Sequence, residues 1–498
     1  MNHLSRRTFL KQTALLGAAT LSARSWGQVA GANSDIRVAV VGLNGRGKNH
    51  LSSLAKVPGV RVVGLCDPDQ AVLARAARAC GGNVKIYPDL REMLRSKEID
   101  AITIATPNHW HSLAGIWACQ AGKDVYVEKP VSHNVWEGRQ LVAAAKKYNR
   151  VVQAGTQIRS GEGLREAVKW VHDGSLGKIT AARGFCYKRR KSIGQTRGPQ
   201  PVPATVDYDL WCGPSPLAPL HRAQLHYDWH WQYITGNGDV GNQGIHQMDV
   251  ARWFLGESGL PRHTLSIGGR LGYEDDGDTP NTQVVVHDYA TAPLIFEVRG
   301  LPARPDAPAS SDPAAGLTGA DAAGAAAGSM DKYRGVSIGN VINCEGGSVV
   351  TGGYFDATAY DPSGKVIREF KGSDRHMANF IDVIRSRKLD DLYGPVEEGH
   401  VSSALCHLGN ISHQIGRTAL EGETREKIKG NAALSEAYGR MVEHLGANGV
   451  DLNKTPATLG VPLTIDSPAE RFVGEGANAA NALLTREYRK GYVVPQLA

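Results

Sequence analysis

No run of about 18 consecutive apolar residues occurs in this 498-residue chain, so no segment reads as a membrane-spanning helix. No Cys-x-x-Cys pair occurs either. The seven cysteines (Cys66, Cys80, Cys119, Cys186, Cys212, Cys344 and Cys406) are odd in number and widely scattered, which excludes a zinc ribbon or a disulfide-stapled scaffold as the organising principle. A concentrated basic field is also missing. Lys and Arg number 56 against 49 Asp and Glu, a formal charge of +7. Four of the positive charges (Arg6, Arg7, Lys11, Arg24) lie in the first 32 residues, which hold no acidic residue; without them the balance is 52 against 49. A near-neutral body of this size argues against a nucleic-acid-binding protein. What is present is ordinary for a folded chain of two or more domains: 42% hydrophobic and 21% charged residues.

The N-terminus reads as an address. Ser5-Arg6-Arg7-Thr8-Phe9-Leu10-Lys11 precedes a mildly apolar run over residues 13–23, and Ala30-Gly31-Ala32 supplies a small-residue cleavage site. The paired arginines resemble the twin-arginine export signal, so residues 1–32 are expected to be removed and the mature protein to reach the periplasm already folded. Export after folding suits a protein that loads a cofactor in the cytoplasm, and it reconciles export with unpaired cysteines.

From residue 35 short β-branched runs alternate with helical stretches. Strands are expected at 36–41, 60–65, 100–105, 124–127 and 151–154, and helices at 48–56, 69–80, 111–121 and 136–148. This alternation predicts a doubly wound parallel sheet over 35–155, an α/β Rossmann domain. Beyond it the runs at 179–187, 263–269, 282–289, 294–298, 340–344 and 348–352 predict an α+β domain over 156–430 with a large, mostly antiparallel sheet. Residues 301–330, rich in Ala, Pro, Gly and Ser, read as a mobile insertion, and 431–498 as a C-terminal extension.

Gly42-Leu43-Asn44-Gly45-Arg46-Gly47 follows the first strand and opens a helix, the place where backbone N–H groups hold a dinucleotide pyrophosphate. Asn44 stands at the second glycine position of G-x-G-x-x-G, and its tolerance of left-handed angles is expected to preserve the turn. Asp67 ends the second strand twenty residues after Gly47, where a carboxylate accepts from the adenosine ribose; its charge favours NAD over NADP.

Tyr126-Val127-Glu128-Lys129-Pro130 leaves a strand on the same side of the sheet as the glycine turn. Together with Thr106-Pro107-Asn108-His109 upstream and the segment from Gly241 through Asn242 and His246 to Asp249 downstream, it resembles the Gfo/Idh/MocA family of nicotinamide-dependent oxidoreductases over residues 35–420. The resemblance implies that Lys129 hydrogen-bonds the reacting hydroxyl, that the bond before Pro130 is cis, and that Thr106, Pro107, Asn108, His109 and Glu128 contact the cofactor. His246, four residues after Asn242 and expected on the same helix face, is the candidate acid/base. Relatives that oxidise simple polyols carry Asp at the Asn242 position; an amide orients a hydroxyl but cannot ionise. Exposed sheets in the family pair subunits, so a homo-oligomer is expected.

The aromatic segment Tyr227-Asp228-Trp229-His230-Trp231 reads as a platform for a sugar ring, with Asp249 as a further substrate contact. His226 and His230 share the i, i+4 spacing of a metal pair, but no third ligand is evident, so no metal is expected. Lys188 to Lys191 reads as a solvated basic loop. Three functions follow: an NAD-dependent oxidoreductase acting on a sugar, a glycoside hydrolase or lyase with retained, internally recycled NAD and a 3-keto intermediate, and a non-catalytic sugar-binding protein.

The address is testable alone. Replacing Arg6 and Arg7 by Lys should leave the precursor uncleaved in the cytoplasm, because lysine does not reproduce the paired guanidinium groups. Unchanged periplasmic delivery in a fractionation experiment would defeat the twin-arginine assignment.

Overall fold

The computed structural model describes residues 35–305 and 330–498. The expected export signal over 1–32 and most of the expected insertion over 301–330 lie outside the described residues.

The first sheet is parallel throughout. Strands β1 (Ile36–Val41), β2 (Val60–Cys66), β3 (Lys85–Tyr87), β4 (Ala101–Ile104), β5 (Asp124–Val127) and β6 (Val152–Ala154) lie in the order β3-β2-β1-β4-β5-β6. Every residue of β4 and β5 is buried, because helices cover both faces and leave no solvated side to alternate with. The order reverses between β1 and β4, which opens a crevice at the carboxyl ends of these strands.

The second sheet holds twelve strands. β7 (Ile179–Tyr187) sits inside it, parallel to β10 (Pro293–Arg299) and antiparallel to β11 (Ile338–Cys344). The rest pair antiparallel, among them β8 (His263–Gly269) and β9 (Thr282–Asp288). β9 explains how this sheet is covered. Val285 enters the core shared with the helix Gly244–Leu255, whereas Val284 and Val286 enter a second core with Leu434, Tyr438 and Met441. Residues 431–498 therefore close the far face of the sheet through the helix Ala432–Ala447. Fully burying each of its large side chains contributes about 1.5–3 kcal/mol, enough to hold the helix in place.

Two local expectations are corrected. The basic run 188–191 is not a solvated loop: Arg190 is buried, pairs with Asp239 at 2.6 Å and lies over the Trp231 ring at 4.8 Å. Asn242 and His246 do not share one helix. The chain breaks at Gln243 between the helices Gly238–Asn242 and Gly244–Leu255.

Histidine burial sets the acid response. Burial depresses His109, His246, His287 and His407 to about 3 and His376 and His413 to about 4. All six stay neutral in the folded chain and protonate near 6.5 once unfolded, so their contribution is complete above pH 6.5 and is lost as pH falls toward 3. Asp67 and Asp228, pushed up to about 6 by burial, act in the opposite sense but are fewer. Each histidine contributes up to about 1.4 kcal/mol per pH unit in that window. The melting temperature should therefore decline between pH 6.5 and 4, before ordinary carboxylates titrate; a flat profile across that range in calorimetry would contradict it.

Candidate active site

At the crevice, a cavity of about 500 Å³ is lined from both domains. Its first wall is the glycine turn. Gly42 has φ 81° and supplies the left-handed residue, whereas Asn44 does not adopt such an angle. The expectation for Asn44 is corrected accordingly: its side-chain oxygen instead accepts from Arg75 Nη2 at 3.0 Å. A Cβ on Gly47 would lie 1.9 Å from Gly42 O, and one on Gly42 2.6 Å from Ala105 O. Only glycine permits this close turn. The helix Arg46–Leu54 then starts without a side-chain cap, leaving its first N–H groups facing the turn. This cradle fits a dinucleotide phosphate.

Asp67 is anchored to the same turn. Its carboxylate accepts from Leu43 N at 2.8 Å and Asp69 N at 3.0 Å, and each oxygen keeps capacity for a second donor. Asp69 in turn caps the next helix and receives His226 Nε2 at 2.8 Å, so His226 is engaged by a carboxylate.

Lys129 and Glu128 stand at the end of β5, and the Lys129–Pro130 bond is cis. Lys129 Nζ donates to Asn242 O at 2.8 Å, bringing the second domain to the sheet end. Glu128 is buried with Arg46 Nε at 2.8 Å, His50 Nε2 at 3.1 Å and Gln157 Nε2 at 3.1 Å. Burial alone would raise its carboxyl, but Arg46, His50 and Lys129 outweigh that and hold it well below the usual range. His246 lines the same cavity. Burial, then the Lys129 charge, depresses its imidazole to about 3, and its Nδ1 has no hydrogen-bond partner among the described residues.

The structure brings most of the expected residues to one cavity: Gly42, Asn44, Gly45, Arg46, Asp67, Thr106, Pro107, Asn108, Glu128, Lys129, Asn242, His246, Tyr227, Trp229 and His230 line it. Gly47 supports the turn from behind. Three residues stand elsewhere. His109 is buried between the carbonyls of Trp211 and Thr235, at 3.0 and 3.3 Å, and joins the domains without facing the cavity. Trp231 packs under Arg190. Asp249 is tied to Arg159 at 2.8 Å and to Ser402 at 2.6 Å, neutralising a buried guanidinium. Sequence reasoning missed His111, Gln157, Tyr354, Phe355 and Asp374, which also line the cavity, and His50 behind Glu128. His111 connects the carbonyls of Pro130 and Thr106 at 2.6 and 2.7 Å, so it ties the Lys–Pro step to the end of the neighbouring strand β4.

A glycine-cradled crevice beside a lysine and a neutral histidine defines a nucleotide-binding oxidoreductase of Rossmann type. The sequence profile of the oxidoreductase family's NAD-binding Rossmann fold matches residues 36–156, and that of its C-terminal α/β domain matches 163–271. The chain belongs to the Gfo/Idh/MocA family. It is 27% identical to levoglucosan dehydrogenase of Pseudarthrobacter phenanthrenivorans, over 53% of this chain and 65% of that one. It is 29% identical to a glycosyl hydrolase family 109 protein of Saccharopolyspora erythraea, over 37% of this chain and 46% of that one. The matches thus span about half to two thirds of these curated relatives. The same fold is seen in the WlbA dehydrogenase of Chromobacterium violaceum, solved with NADH and UDP-GlcNAcA: TM-score 0.55, 18% identity, 77% of this chain and 95% of that one.

Asp67→Ala should weaken NAD binding by about tenfold or more, since charge-assisted bonds of about 1.5–3 kcal/mol each are lost. Asp67→Asn keeps an acceptor for Leu43 N but removes the charge, and should narrow any preference over NADP. Titration calorimetry showing parental affinities in both variants would reduce Asp67 to a prop for the turn.

Proposed function

We propose that this chain is an NAD-dependent enzyme that oxidises a ring hydroxyl of a sugar or sugar derivative. The observation that carries this reading is the single cavity shared by the glycine turn, Asp67, Lys129 and His246. NAD, when bound along the turn, supplies the hydride acceptor. Lys129, braced by Asn242 O, keeps further N–H groups for the substrate oxygen and stabilises its developing negative charge. His246 is neutral at pH 7 and accepts the hydroxyl proton. The Asn242 amide orients a neighbouring hydroxyl, and Tyr227 and Trp229, which line the cavity, are the aromatic contacts available to a pyranose.

A second reading keeps the same residues but returns the hydride within each turnover. Oxidation at C3 would acidify the C2 proton, its loss would expel the aglycone from C1, water would add across the resulting C1–C2 double bond, and return of the hydride to C3 would restore the oxidised cofactor. The family 109 glycosyl hydrolase relatives favour it, as does the proposed twin-arginine export to the periplasm, where no free NAD pool sustains a net dehydrogenase. A homo-oligomer is proposed for either reading.

Mass spectrometry of the purified mature protein, with a screen of sugars and glycosides for 3-keto products, separates the readings. Net oxidation requires added NAD and yields stoichiometric NADH; recycling needs neither. Lys129→Met should lower turnover by about 10²–10³-fold or more while nucleotide binding persists, because the ammonium serves the substrate oxygen. Protein without nucleotide and without activity on either substrate type would leave the sugar-binding function instead.

A further inference from the structure

Residues 484–498 run back from the extension onto the first domain. Tyr492 and Val494, 3% and 4% exposed, are buried in the core cluster of the Rossmann helices. The Tyr492 ring meets Trp110 edge-on at 5.7 Å. Trp136 N donates to Leu484 O at 2.9 Å, and Ala498 N to Gln140 Oε1 at 3.0 Å. These contacts fix the segment to the helices Asn108–Gln120 and Val135–Lys147.

From that base the segment reaches the second domain. Arg486 donates to His109 O and to Ile234 O, each at 3.3 Å, and pairs with the buried Glu137 at 3.1 Å. One guanidinium therefore holds a carbonyl from each side of the domain seam. Arg489 pairs with the Asp209 carboxylate and donates to the carbonyls of Asp209 and Gly213 at 3.1 Å, while Tyr492 Oη donates to Asp209 at 2.9 Å. Asp209 belongs to the helix Tyr208–Cys212, a single turn too short to hold itself. That turn carries Leu210 and Trp211 into the cavity wall, and the chain after it carries Tyr227, Trp229 and His230.

We propose that residues 484–498 position the substrate side of the cavity, with Arg486 and Arg489 as positioning residues that hold the wall 208–230 against the helix Asn108–Gln120. The forked guanidinium suits this task because it bonds several carbonyls in fixed geometry. The inference is independent of which sugar is bound and of whether NAD is recycled.

The test is hydrogen exchange by mass spectrometry on the full-length chain carrying Arg486→Gln and Arg489→Gln. Met441→Ala is the control: Met441 is buried in the helix Ala432–Ala447, in a core that includes no residue of 484–498 and none that lines the cavity. In the double variant, amides in 208–230 should exchange about tenfold faster while β1, β4 and β5 keep their protection. The control should lower the melting temperature without that selective opening. Parental protection of 208–230 in the double variant, or the same exchange pattern in both proteins, would overturn the proposal and leave 484–498 a stabilising tail only.

Discussion

The site depends on keeping one buried carboxylate charged. Glu128 is 4% exposed, and taking its charge out of water costs several kcal/mol unless partners replace the lost solvation. Its partners come from separate elements: Arg46 and His50 from the helix after the glycine turn, and Gln157 from the turn after β6. A Cβ on Gly155 would stand 2.9 Å from Glu128 Oε2, so the pocket around the carboxylate is closed. Satisfying Glu128 thus fixes where the cofactor turn sits relative to Lys129, its neighbour in sequence.

This dependence explains which parts of the site could be read from the sequence. The glycine turn, Asp67 and the Lys–Pro step are local: residue type, spacing and a strand end lie within a few positions of one another. His50, His111, Gln157 and Asp374 carry no such signal, because each reaches the site by tertiary packing. Asn237 is similar. It joins Asn108 at 3.0 Å across 129 residues and accepts no hint from its neighbours. Trp231 and Asp249 show the converse. Their residue types suit sugar binding, but type does not give direction, and both turn toward buried arginines. The break at Gln243 was also hidden. Gly244 is required because a Cβ there would lie 2.5 Å from the Phe296 ring, a contact made by a strand far along the chain.

The fold was legible where periodicity reports one environment. Strand–helix alternation gave the parallel sheet, and β-branched runs gave most of the second sheet. Less legible was what covers that sheet. Three consecutive valines in β9 indicate burial on both faces, yet they do not identify the helix Ala432–Ala447 as the second cover. Short β3, three residues long with two of them exposed, offers too little pattern to be found.

Lys129 and His246 are electrostatically one unit. After burial, the lysine charge is the next largest cause of the histidine's depressed proton affinity. In the proposed reaction a substrate oxygen beside both groups would couple them. As it gained negative character, the ammonium would attract it, and the same developing charge would offset the lysine's effect on the histidine and raise its affinity for the proton. Proton loss to His246 and charge stabilisation by Lys129 would then reinforce one another. Asn242 suits this pair: its backbone oxygen braces Lys129 at 2.8 Å while its neutral side chain adds no charge to the field at His246, which Lys129, Glu128, Asp249 and Arg46 already set. With Asp in its place, a fixed negative charge would raise the histidine's proton affinity before any substrate arrived, and the coupling to the reacting oxygen would be weaker.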